Sequence, residues 1–463
     1  MPSPSPSPSD VTTLRDSLAE GARERFLWGI NGTIATDALR AGSCLSGRLC
    51  DFAGRSVLLA THDQLATAVA LIELDGVARR LVLCPSDVPS EHLAAVVTNA
   101  EIDAVITDRP AVDGPGIALR ATIATEPSPA DIAVRERCRT EWVLLTSGTT
   151  GTPKMLVHTL AGLAGAIRTT QNVGTVWGTY YDIRRYGGLQ IFFRSVLGGG
   201  SLVVGSVDEP IGDYLTRLAR HHATHVLGTP SHWRRALMSP VARQISPNYV
   251  RLSGEVADQA ILDALRAFYP QAKITHAFAS TESGVGFEVT DGLEGFPESV
   301  LGIHGDVEIR VVDGSLRFRS PRTASRYAGH DAAALMDTDG FVDTGDMVER
   351  RGGRYYFLGR RSGVINVGGL KVHPEEVEGV INRHPAVRMS LVRGKRNPIT
   401  GAIVVADVVL KSPDGTAIPE AECRREILEL CREKLPQHKV PAMISFVSAL
   451  GVAPAGKLAR HGA

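Results

Sequence analysis

A short segment rich in glycine and hydroxyl side chains, LLTSGTTGTPK at residues 144–154, carries the clearest chemical signal in the chain. It follows the apolar run WVLL at 142–145, which predicts a buried strand, so the segment leaves a strand end. Glycine lets backbone N–H groups approach an anion, the hydroxyls add donors, and Lys154 adds a positive charge. The pattern indicates a loop that binds a polyphosphate; the alternative is an ordinary Ser/Thr/Gly surface loop.

The loop does not follow the two commonest phosphate-binding patterns. The G-x-x-x-x-G-K-[ST] pattern fails because no Ser or Thr follows Lys154 and because Pro153 precedes it. The dinucleotide pattern G-x-G-x-x-G is absent here as well. Other parts of the chain must therefore identify the framework.

Three later segments carry polar residues that a hydrophobic core would not tolerate without a function. HAFASTESG at 276–284 places Thr281 and Glu282 after a strand-like run, and VDTGDMVE at 342–349 contains a turn that ends on Asp346. APAGKLAR at 453–460 presents Lys457 from a Pro/Gly loop. Taken singly, these three could be a solvated acid, a turn former and an ordinary terminal cation.

In this order, the segments resemble the adenylate-forming superfamily of acyl-CoA synthetases, stand-alone adenylation domains and luciferases. The resemblance extends over residues 50–460. TSGTTGTPK is similar to the family's phosphate loop, ASTES to its Y-G-x-T-E element, DTGD to its ribose-binding TGD and PAGK to its C-terminal lysine motif. GRRSGVINVGGLKVHPEEVE is similar to the hinge and to the G-x-x-x-x-P-x-E-[VL]-E signature that follows it.

The family joins a carboxylate to ATP, releases pyrophosphate and usually passes the acyl group to a thiol. Charge builds on the phosphoryl oxygens, so the reaction needs cations and hydrogen-bond donors around the phosphates. The resemblance implies that Thr281 donates to the α-phosphate and that Glu282 holds Mg²⁺. It also implies that the following residues hold the departing pyrophosphate: Thr146, Ser147, Gly148, Thr149, Thr150, Gly151 and Lys154.

The resemblance further implies the nucleotide and domain-motion residues. Phe278, in place of the usual Tyr, with Ala279 and Ser280, would lie on one side of adenine, and Ser253, Gly254 and Glu255 on the other. Asp346 and Arg360 would bind the ribose. Lys457 would bridge the carboxylate and the α-phosphate before the small domain swings. Gly368, Gly369 and Lys371 would then face a thiol tunnel. Ser362 takes the hinge position, where Asp or Lys is usual, and Asn366 replaces a frequent Lys, which leaves the thiol acceptor open.

The acyl pocket is assigned to the segment around YGGL at 186–189. Matching it to the usual H-I-G-G-L puts Arg185 where many ligases carry His, with Tyr186, Gly187 and Gly284 as further walls. Arg185 would pair with a second acidic group of the substrate, or, alternatively, reach solvent or a structural carboxylate. Another register places Asp182 where amino-acid-activating domains hold the substrate ammonium.

The hydrophobic pattern predicts the fold class. Strand-like and helical runs alternate before and after the phosphate loop, which indicates an α/β fold with mainly parallel sheets layered with helices. Short strands and turns at 300–358 predict an added antiparallel β region. We predict a disordered Ser/Pro-rich tail at 1–20, an ATP- and acyl-binding domain at 21–359, and a small mobile α+β domain at 360–463.

Bulk composition narrows the partners. The chain has 463 residues, 50 basic and 50 acidic, so no net field favours nucleic acid or an anionic membrane. No apolar run is long enough to span a bilayer, and the Ser-Pro start does not match a signal peptide. Six scattered cysteines are typical of reduced thiols, so we expect a cytoplasmic monomer or homodimer.

These observations predict an AMP-forming acid–thiol ligase that uses ATP, Mg²⁺ and, as acceptor, coenzyme A. The alternative acceptors are the phosphopantetheine of an acyl carrier protein and an amine. An alternative of another class is a non-catalytic nucleotide-binding protein. Lys457 argues against that class, because a protein that only binds nucleotide would not need it.

Overall fold

The computed structural model describes residues 13–18, 24–110, 112, 116–130, 137–146, 153–167, 174–206, 208–329, 334–398, 400–411, 419–453 and 456–460. The predicted α/β class is confirmed: helices and mainly parallel sheets form the N-terminal part, and a smaller α+β unit follows. No helix in these ranges is long and apolar enough to cross a membrane.

Two large sheets build the N-terminal part. The first has eight strands, in the spatial order Gly284–Val289, Lys273–Ser280, Tyr249–Ser253, His225–Gly228, Val176–Thr179, Ser201–Val204, Phe26–Trp28 and Thr33–Ala35. The second has seven, in the order Arg326–Tyr327, Lys154–Thr159, Glu141–Thr146, Arg80–Leu83, Ser56–Ala60, Ala104–Thr107 and Leu119–Ala121. Their inner strands are parallel, so the carboxyl ends of neighbouring strands meet at one edge, where ligands bind in such sheets.

Helices separate and cover these sheets. Helix Gln64–Leu74 is mostly apolar and almost wholly buried, as expected for a helix between two layers. With helix Tyr186–Gly198 it shares one core with strands of both sheets. The remaining helices in the described residues are Ala38–Ala41, Ser90–Asn99, Leu160–Ala164, Ile211–Arg220, Pro230–Ala236, Gln259–Phe268, Pro374–Ile381 and Glu420–Lys434.

The antiparallel region forms a six-stranded sheet. Its strands, in spatial order, are Phe296–Pro297, Arg354–Arg360, Val342–Arg351, Ser315–Arg319, Val307–Val312 and Gly302–His304. Two short strands, Gly42–Ser43 and Ser128–Pro129, pair separately. Arg360 ends its strand, and the turn Arg361–Gly363 leads into the C-terminal unit.

The C-terminal unit has a core of its own. The hairpin strands Ile365–Val367 and Leu370–Val372 precede a three-stranded sheet made of Val387–Asn397, Gly401–Leu410 and Met443–Phe446. Helices Pro374–Ile381 and Glu420–Lys434 pack their apolar side chains against it. This unit lies inside the segment 360–463 that the sequence assigns to a small α+β domain; the exact boundary stays a prediction.

The predicted disordered tail is wrong for residues 13–18. Leu14 and Leu18 are buried in the main core, at 0% and 2% exposure. The Leu14 N–H donates to the Asp75 carboxylate over 2.9 Å. The Ser-Pro composition does not continue into this segment. Its two leucines, four residues apart, share one face and bury apolar surface, which stabilises an ordered conformation.

Candidate active site

A cleft of about 900 Å³ lies between the C-terminal unit and the N-terminal part. This volume falls in the range of small-molecule sites. The cleft brings together eight residues that the sequence predicts for nucleotide binding, the hinge and catalysis: Gly254, Glu255, Phe278, Ala279, Asp346, Arg360, Ser362 and Lys457.

The phosphate loop connects two strands of a hairpin. Thr146 ends one strand, Lys154 begins the next, and the two residues are paired. The Lys154 Nζ lies 5.6 Å from the ring centroid of Tyr327. Burial and the negative charge of Glu282 raise the pKa of Tyr327, which places Glu282 near the same ring. The predicted loop residues Ser147, Gly148, Thr149, Thr150 and Gly151 lie outside the described residues.

Thr281 and Glu282 occupy a tight turn between two antiparallel strands. The Ser283 N–H donates to the Ser280 hydroxyl over 3.0 Å, and the Ala324 N–H donates to the Glu282 carbonyl over 2.9 Å. Gly284 has a φ of +81°, which favours glycine, and a side chain there would meet the Arg322 backbone. The backbone contacts on either side of Thr281 therefore fix the turn.

The Glu282 carboxylate fits a Mg²⁺ ligand. It is half-buried and forms no hydrogen bond or ion pair with a residue that the structure describes, so its oxygens are available. Carboxylate oxygen is the donor that Mg²⁺ prefers, and Mg²⁺ usually takes one or two carboxylates plus phosphate oxygens. The donor chemistry at this turn therefore suits the metal that the sequence implies.

Asp346 and Arg360 face each other across neighbouring strands. Arg360 Nε lies 3.3 Å from Asp346 Oδ1. Burial raises the pKa of Asp346, and the positive charges of Arg360 and Lys457 act in the opposite direction. Asp346, Arg360 and Lys457 line the same cleft, and Lys457 belongs to the C-terminal unit, so both units contribute charge to one site.

Two hydrogen bonds hold the backbone on either side of Lys457. The Thr229 hydroxyl donates to the Gly456 carbonyl over 2.6 Å, and the Leu458 N–H donates to the Glu255 carboxylate over 2.8 Å. Glu255 is itself held at the start of helix Pro230–Ala236, because it accepts from the N–H and the hydroxyl of Ser231 at 2.9 and 3.0 Å. We call Thr229, His232 and Glu255 the docking triad, since the three receive this segment.

His232, the third member, packs against Gly456. A side chain at Gly456 would overlap the His232 imidazole, and the φ of +75° there also favours glycine. Burial, with a smaller effect from Arg235, lowers the pKa of His232 to about 3, so the ring is neutral at physiological pH. A neutral ring lets the segment approach without adding charge near Lys457.

Lys457 points into the cleft. Its Cε lies 3.5 Å from the position that a side chain on Gly254 would occupy. Burial between the two units lowers the pKa of Lys457, and Arg360 lowers it further, while Glu255 and Asp346 oppose the shift. The Lys457 amine therefore lies among charged groups whose effects on its pKa partly oppose one another.

Further contacts keep the two units closed around the cleft. Asn382 Nδ2 donates to Asp258 over 2.9 Å, and Arg383 pairs with Glu294 at 2.7 Å. These side chains join helices and loops on either side of the interface. The structure therefore shows an arrangement in which Lys457 lies in the same cleft as residues that the sequence predicts for nucleotide binding.

The two residues proposed for substrate charge recognition are engaged with protein side chains. Arg185 makes two contacts with the Asp87 carboxylate, at 2.5 and 2.6 Å, which matches the structural-carboxylate alternative. Asp182 accepts from Arg184 Nε and Nη2 at 2.7 and 2.8 Å. Asp182 and Arg184 are 4% and 1% exposed, so this register offers no free carboxylate for an ammonium group.

The other predicted pocket residues have different surroundings. The Tyr186 ring is buried, and a side chain at Gly187 would contact the Tyr181 ring. Phe278 lines the cleft, but its ring stacks on Phe318 and Phe357, with centroids 5.0 and 5.6 Å apart. Aromatic neighbours therefore already occupy part of the ring surface that the sequence assigns to adenine.

Gly368, Gly369 and Lys371 lie away from this cleft. The two glycines form the turn of the hairpin Ile365–Val372, with φ of +57° and +87°. They are not among the residues that line the cleft. Their predicted place in a thiol tunnel requires the second domain arrangement and stays a prediction.

Sequence reasoning missed Thr229 and His232 and gave Glu255 a different role. A signal was available for the first two: TPSH combines a Thr N-cap, a proline at the first helical position and a side chain that returns to the cap. The docking contact of Glu255 carried no signal, because it joins residues 203 positions apart.

Comparisons with known proteins identify the family of this chain. The profile of the AMP-binding enzyme family matches residues 57–324, and that of the AMP-binding enzyme C-terminal domain matches residues 376–457. A 2-succinylbenzoate–CoA ligase of Bacillus cereus is 25% identical over 433 residues, which cover 88% of this chain and 87% of that protein. A 4-hydroxybutyrate–CoA ligase of Metallosphaera sedula is 26% identical, covering 82% and 71%.

The solved structures show the same fold. The anthranilate CoA ligase AuaEII in complex with anthranoyl-AMP superposes with a TM-score of 0.80 at 18% identity, covering 98% of this chain and 97% of that one. The chain belongs to the AMP-binding enzyme family. It is an AMP-forming acid–thiol ligase, which confirms the resemblance drawn from the motifs.

The docking triad gives a test that does not alter any group in contact with substrate. Gly456→Ala should lower acid-dependent ATP–pyrophosphate exchange at least 100-fold, because the new methyl group overlaps His232 and displaces Lys457. Exchange of radiolabelled pyrophosphate into ATP measures it. Gly451→Ala is the matched control, since its methyl group would meet only Ala459, at 3.6 Å. Unchanged exchange in Gly456→Ala would show that the docked position is not needed.

Proposed function

We propose that the enzyme activates a carboxylic acid with ATP as an acyl-adenylate and then transfers the acyl group to coenzyme A. The observation that carries this proposal is the position of Lys457, held by Thr229 and Glu255 in a cleft that also contains Asp346 and Arg360. A cation on a separate unit, brought to nucleotide residues by closure, suits a step in which two anions must react.

In the first half-reaction, a carboxylate oxygen of the acid bonds to the α-phosphorus of ATP, and the bond from that phosphorus to the bridging oxygen breaks. Pyrophosphate leaves with the bond electrons. Lys457 would lie between the carboxylate and the α-phosphate, where its charge offsets their repulsion and the charge that develops in the transition state. Asp346 and Arg360 would orient the ribose, and Thr281 would donate to the α-phosphate.

The departing pyrophosphate would lie against the hairpin that contains Thr146 and Lys154. Glu282 would hold Mg²⁺, which when bound would supply positive charge beside the phosphate oxygens. The Lys154 amine, close to the face of Tyr327, would stay mobile enough to follow that charge.

In the second half-reaction, the thiol sulfur attacks the acyl carbon and AMP leaves with its electron pair. Rotation about the turn at Ser362 would withdraw Lys457 and bring the hairpin of Gly368, Gly369 and Lys371 to the cleft. The docking contacts must break for this rotation, so their modest number suits a reversible closure. Asn366 and Ser362 depart from the usual family residues, which favours testing a carrier protein or an amine as the second candidate acceptor.

The acid and the compartment are inferred from weaker observations. The relatives are ligases of 2-succinylbenzoate and 4-hydroxybutyrate, so we propose an aromatic or short-chain organic acid. All six cysteines are free thiols, as is usual in reducing compartments, and we place the enzyme in the cytoplasm.

Pyrophosphate release over a panel of acids tests this function. Aryl, fatty, dicarboxylic and amino acids would each be supplied with ATP and Mg²⁺, with and without coenzyme A. We expect one class to give release that becomes multi-turnover only when coenzyme A is present. Multi-turnover release with holo carrier protein or an amine instead would contradict the proposed acceptor, and no acid-dependent release would contradict the function.

The charge around Lys457 predicts a pH effect. Glu255 raises the pKa of Lys457, so Glu255→Gln should lower that pKa. Because the step needs the protonated amine, the alkaline limb of the adenylation rate should move to lower pH, while the near-isosteric amide can still accept from Leu458. The pH profile of pyrophosphate exchange measures the shift, with exposed Glu429→Gln as control. A limb that stays in place or moves to higher pH would be inconsistent with this role.

A further inference from the structure

A network of buried polar side chains joins the two units beside the cleft. Asp258 belongs to the N-terminal part and Asn382 to the C-terminal unit, and each is 8% exposed. The Asn382 Nδ2 donates to the Asp258 carboxylate over 2.9 Å. The Asn382 side-chain oxygen accepts from the Ser390 hydroxyl over 2.9 Å, which fixes the orientation of the amide group. A hydrogen bond to a buried carboxylate therefore connects the two units directly.

Arg234 forms a second connection between the units. It lies on helix Pro230–Ala236, the N-terminal end of which receives the docked segment around Lys457. The Arg234 Nη2 donates to the Asp258 carboxylate over 2.7 Å, and its Nη1 donates to the Arg388 carbonyl of the C-terminal unit over 2.9 Å. The helix therefore contacts the C-terminal unit at two places, at its N-terminal end and near its C-terminal end.

Each unit holds a part of this network that is complete without the other unit. In the N-terminal part, Asp258 accepts from Arg234 and, over 3.0 Å, from the Ile261 N–H. In the C-terminal unit, Asn382 stays bonded to Ser390. Separation would break the bond from Asn382 to Asp258 and that from Arg234 to a backbone carbonyl, and water can replace both. Arg234 and Asp258 keep each other as counter-charges, so opening avoids the large cost of an unpaired buried ion.

A neighbouring ion pair across the same interface is a weaker connection. The side chains of Arg383 and Glu294 are 47% and 21% exposed, and solvent screens a charge pair at such a position. The side chains of Arg234 and Asp258 are each only 10% exposed. Hydrogen bonds to charged groups are stronger where water is excluded. The network around Asp258 therefore contributes more to closure than the exposed pair does.

We propose that Arg234, Asp258 and Asn382 form an interface latch that holds the C-terminal unit in position for adenylate formation and releases it for thioester formation. All three line the cleft, but their side chains bond to one another. They are therefore positioning residues, which act through the docking of Lys457. The latch rests on the proposed function, because it assigns the closed arrangement to one of the two half-reactions. Weakening it should slow the first half-reaction and spare the second.

Two substitutions of Asn382 test the latch in the separate half-reactions. Asn382→Ala removes the bond to Asp258, and Asn382→Asp also places a second carboxylate against it. With the most active acid of the panel, single-turnover adenylate formation should fall about 10-fold in the first variant and about 100-fold in the second. Thioester formation from synthetic acyl-adenylate and coenzyme A should be unchanged or faster. Arg383→Gln is the matched control and should stay within about 3-fold of the wild type in both half-reactions. Equal losses in both half-reactions of the Asn382 variants would mean a general structural role and would refute the latch.

An exchange of the two side chains tests whether their contact is direct. In the double variant Asp258→Asn, Asn382→Asp, the amide and the carboxylate change sides, so the bond across the interface and a negative charge beside Arg234 are both kept. Asparagine also remains a good cap for helix Gln259–Phe268. The double variant should recover at least about 10-fold of the adenylate formation that Asn382→Asp loses. No recovery would overturn the latch.

Amide hydrogen exchange keeps this test separate from that of the proposed function. In the enzyme without substrates, the Leu458 N–H is held by Glu255 across the interface, so opening exposes it. Mass spectrometry should show exchange in segment 456–460 about 10-fold faster in Asn382→Asp than in the wild type. Unchanged exchange in strand Gly401–Leu410 would show that the C-terminal unit stays folded. Faster exchange without any acid-dependent adenylate formation would support the latch and count against the proposed function alone. Unchanged exchange in 456–460 would overturn the latch and leave the proposed function intact.

Discussion

The candidate active site depends on the docking of three residues of the C-terminal unit, Gly456 to Leu458, onto the N-terminal part. Thr229 and Glu255 hold the backbone on either side of Lys457. The His232 ring leaves room only for glycine at position 456, directly before Lys457. Neither hydrogen bond is large in free energy, since a neutral one contributes about 1 kcal/mol net and one to a carboxylate about 1.5–3 kcal/mol. They matter because they fix the backbone position from which the long, flexible Lys457 side chain extends. A docked backbone limits the entropy that Lys457 must lose to reach the α-phosphate.

Charged side chains in and near the cleft are mostly paired with groups of opposite charge. Asp346 and Arg360 compensate each other, and Lys457 is placed between the carboxylates of Asp346 and Glu255, with Arg360 opposing it. Arg184 and Arg185 are also matched, by Asp182 and Asp87.

Much of the fold followed from local pattern. The alternation of apolar strands and amphipathic helices predicts parallel sheets, and the mostly apolar sequence of helix Gln64–Leu74 indicates that it is buried. Glycine-rich turns such as that at Gly284 mark backbone positions with positive φ, which local sequence also encodes. The Ser-Pro composition of the start predicts disorder that extends over 13–18, but Leu14 and Leu18 bury their side chains in the main core.

Long-range contacts could not be read in the same way. Glu255 and Leu458, or Arg185 and Asp87, meet only after two sheets and two domains are assembled, and nothing near either residue identifies the partner. The match to YGGL assigns Arg185 to the acyl pocket, but the local sequence does not reveal that its guanidinium pairs with the Asp87 carboxylate.

One measurement tests the central claim, that domain closure serves only the first half-reaction through Lys457. Lys457→Ala would be assayed in two single-turnover experiments, one starting from acid and ATP and the other from synthetic acyl-adenylate and coenzyme A. The account predicts loss of adenylate formation by about 100-fold or more, with thioester formation from the adenylate within 3-fold of the wild-type rate. Equal losses in both experiments, or no loss in the first, would contradict it.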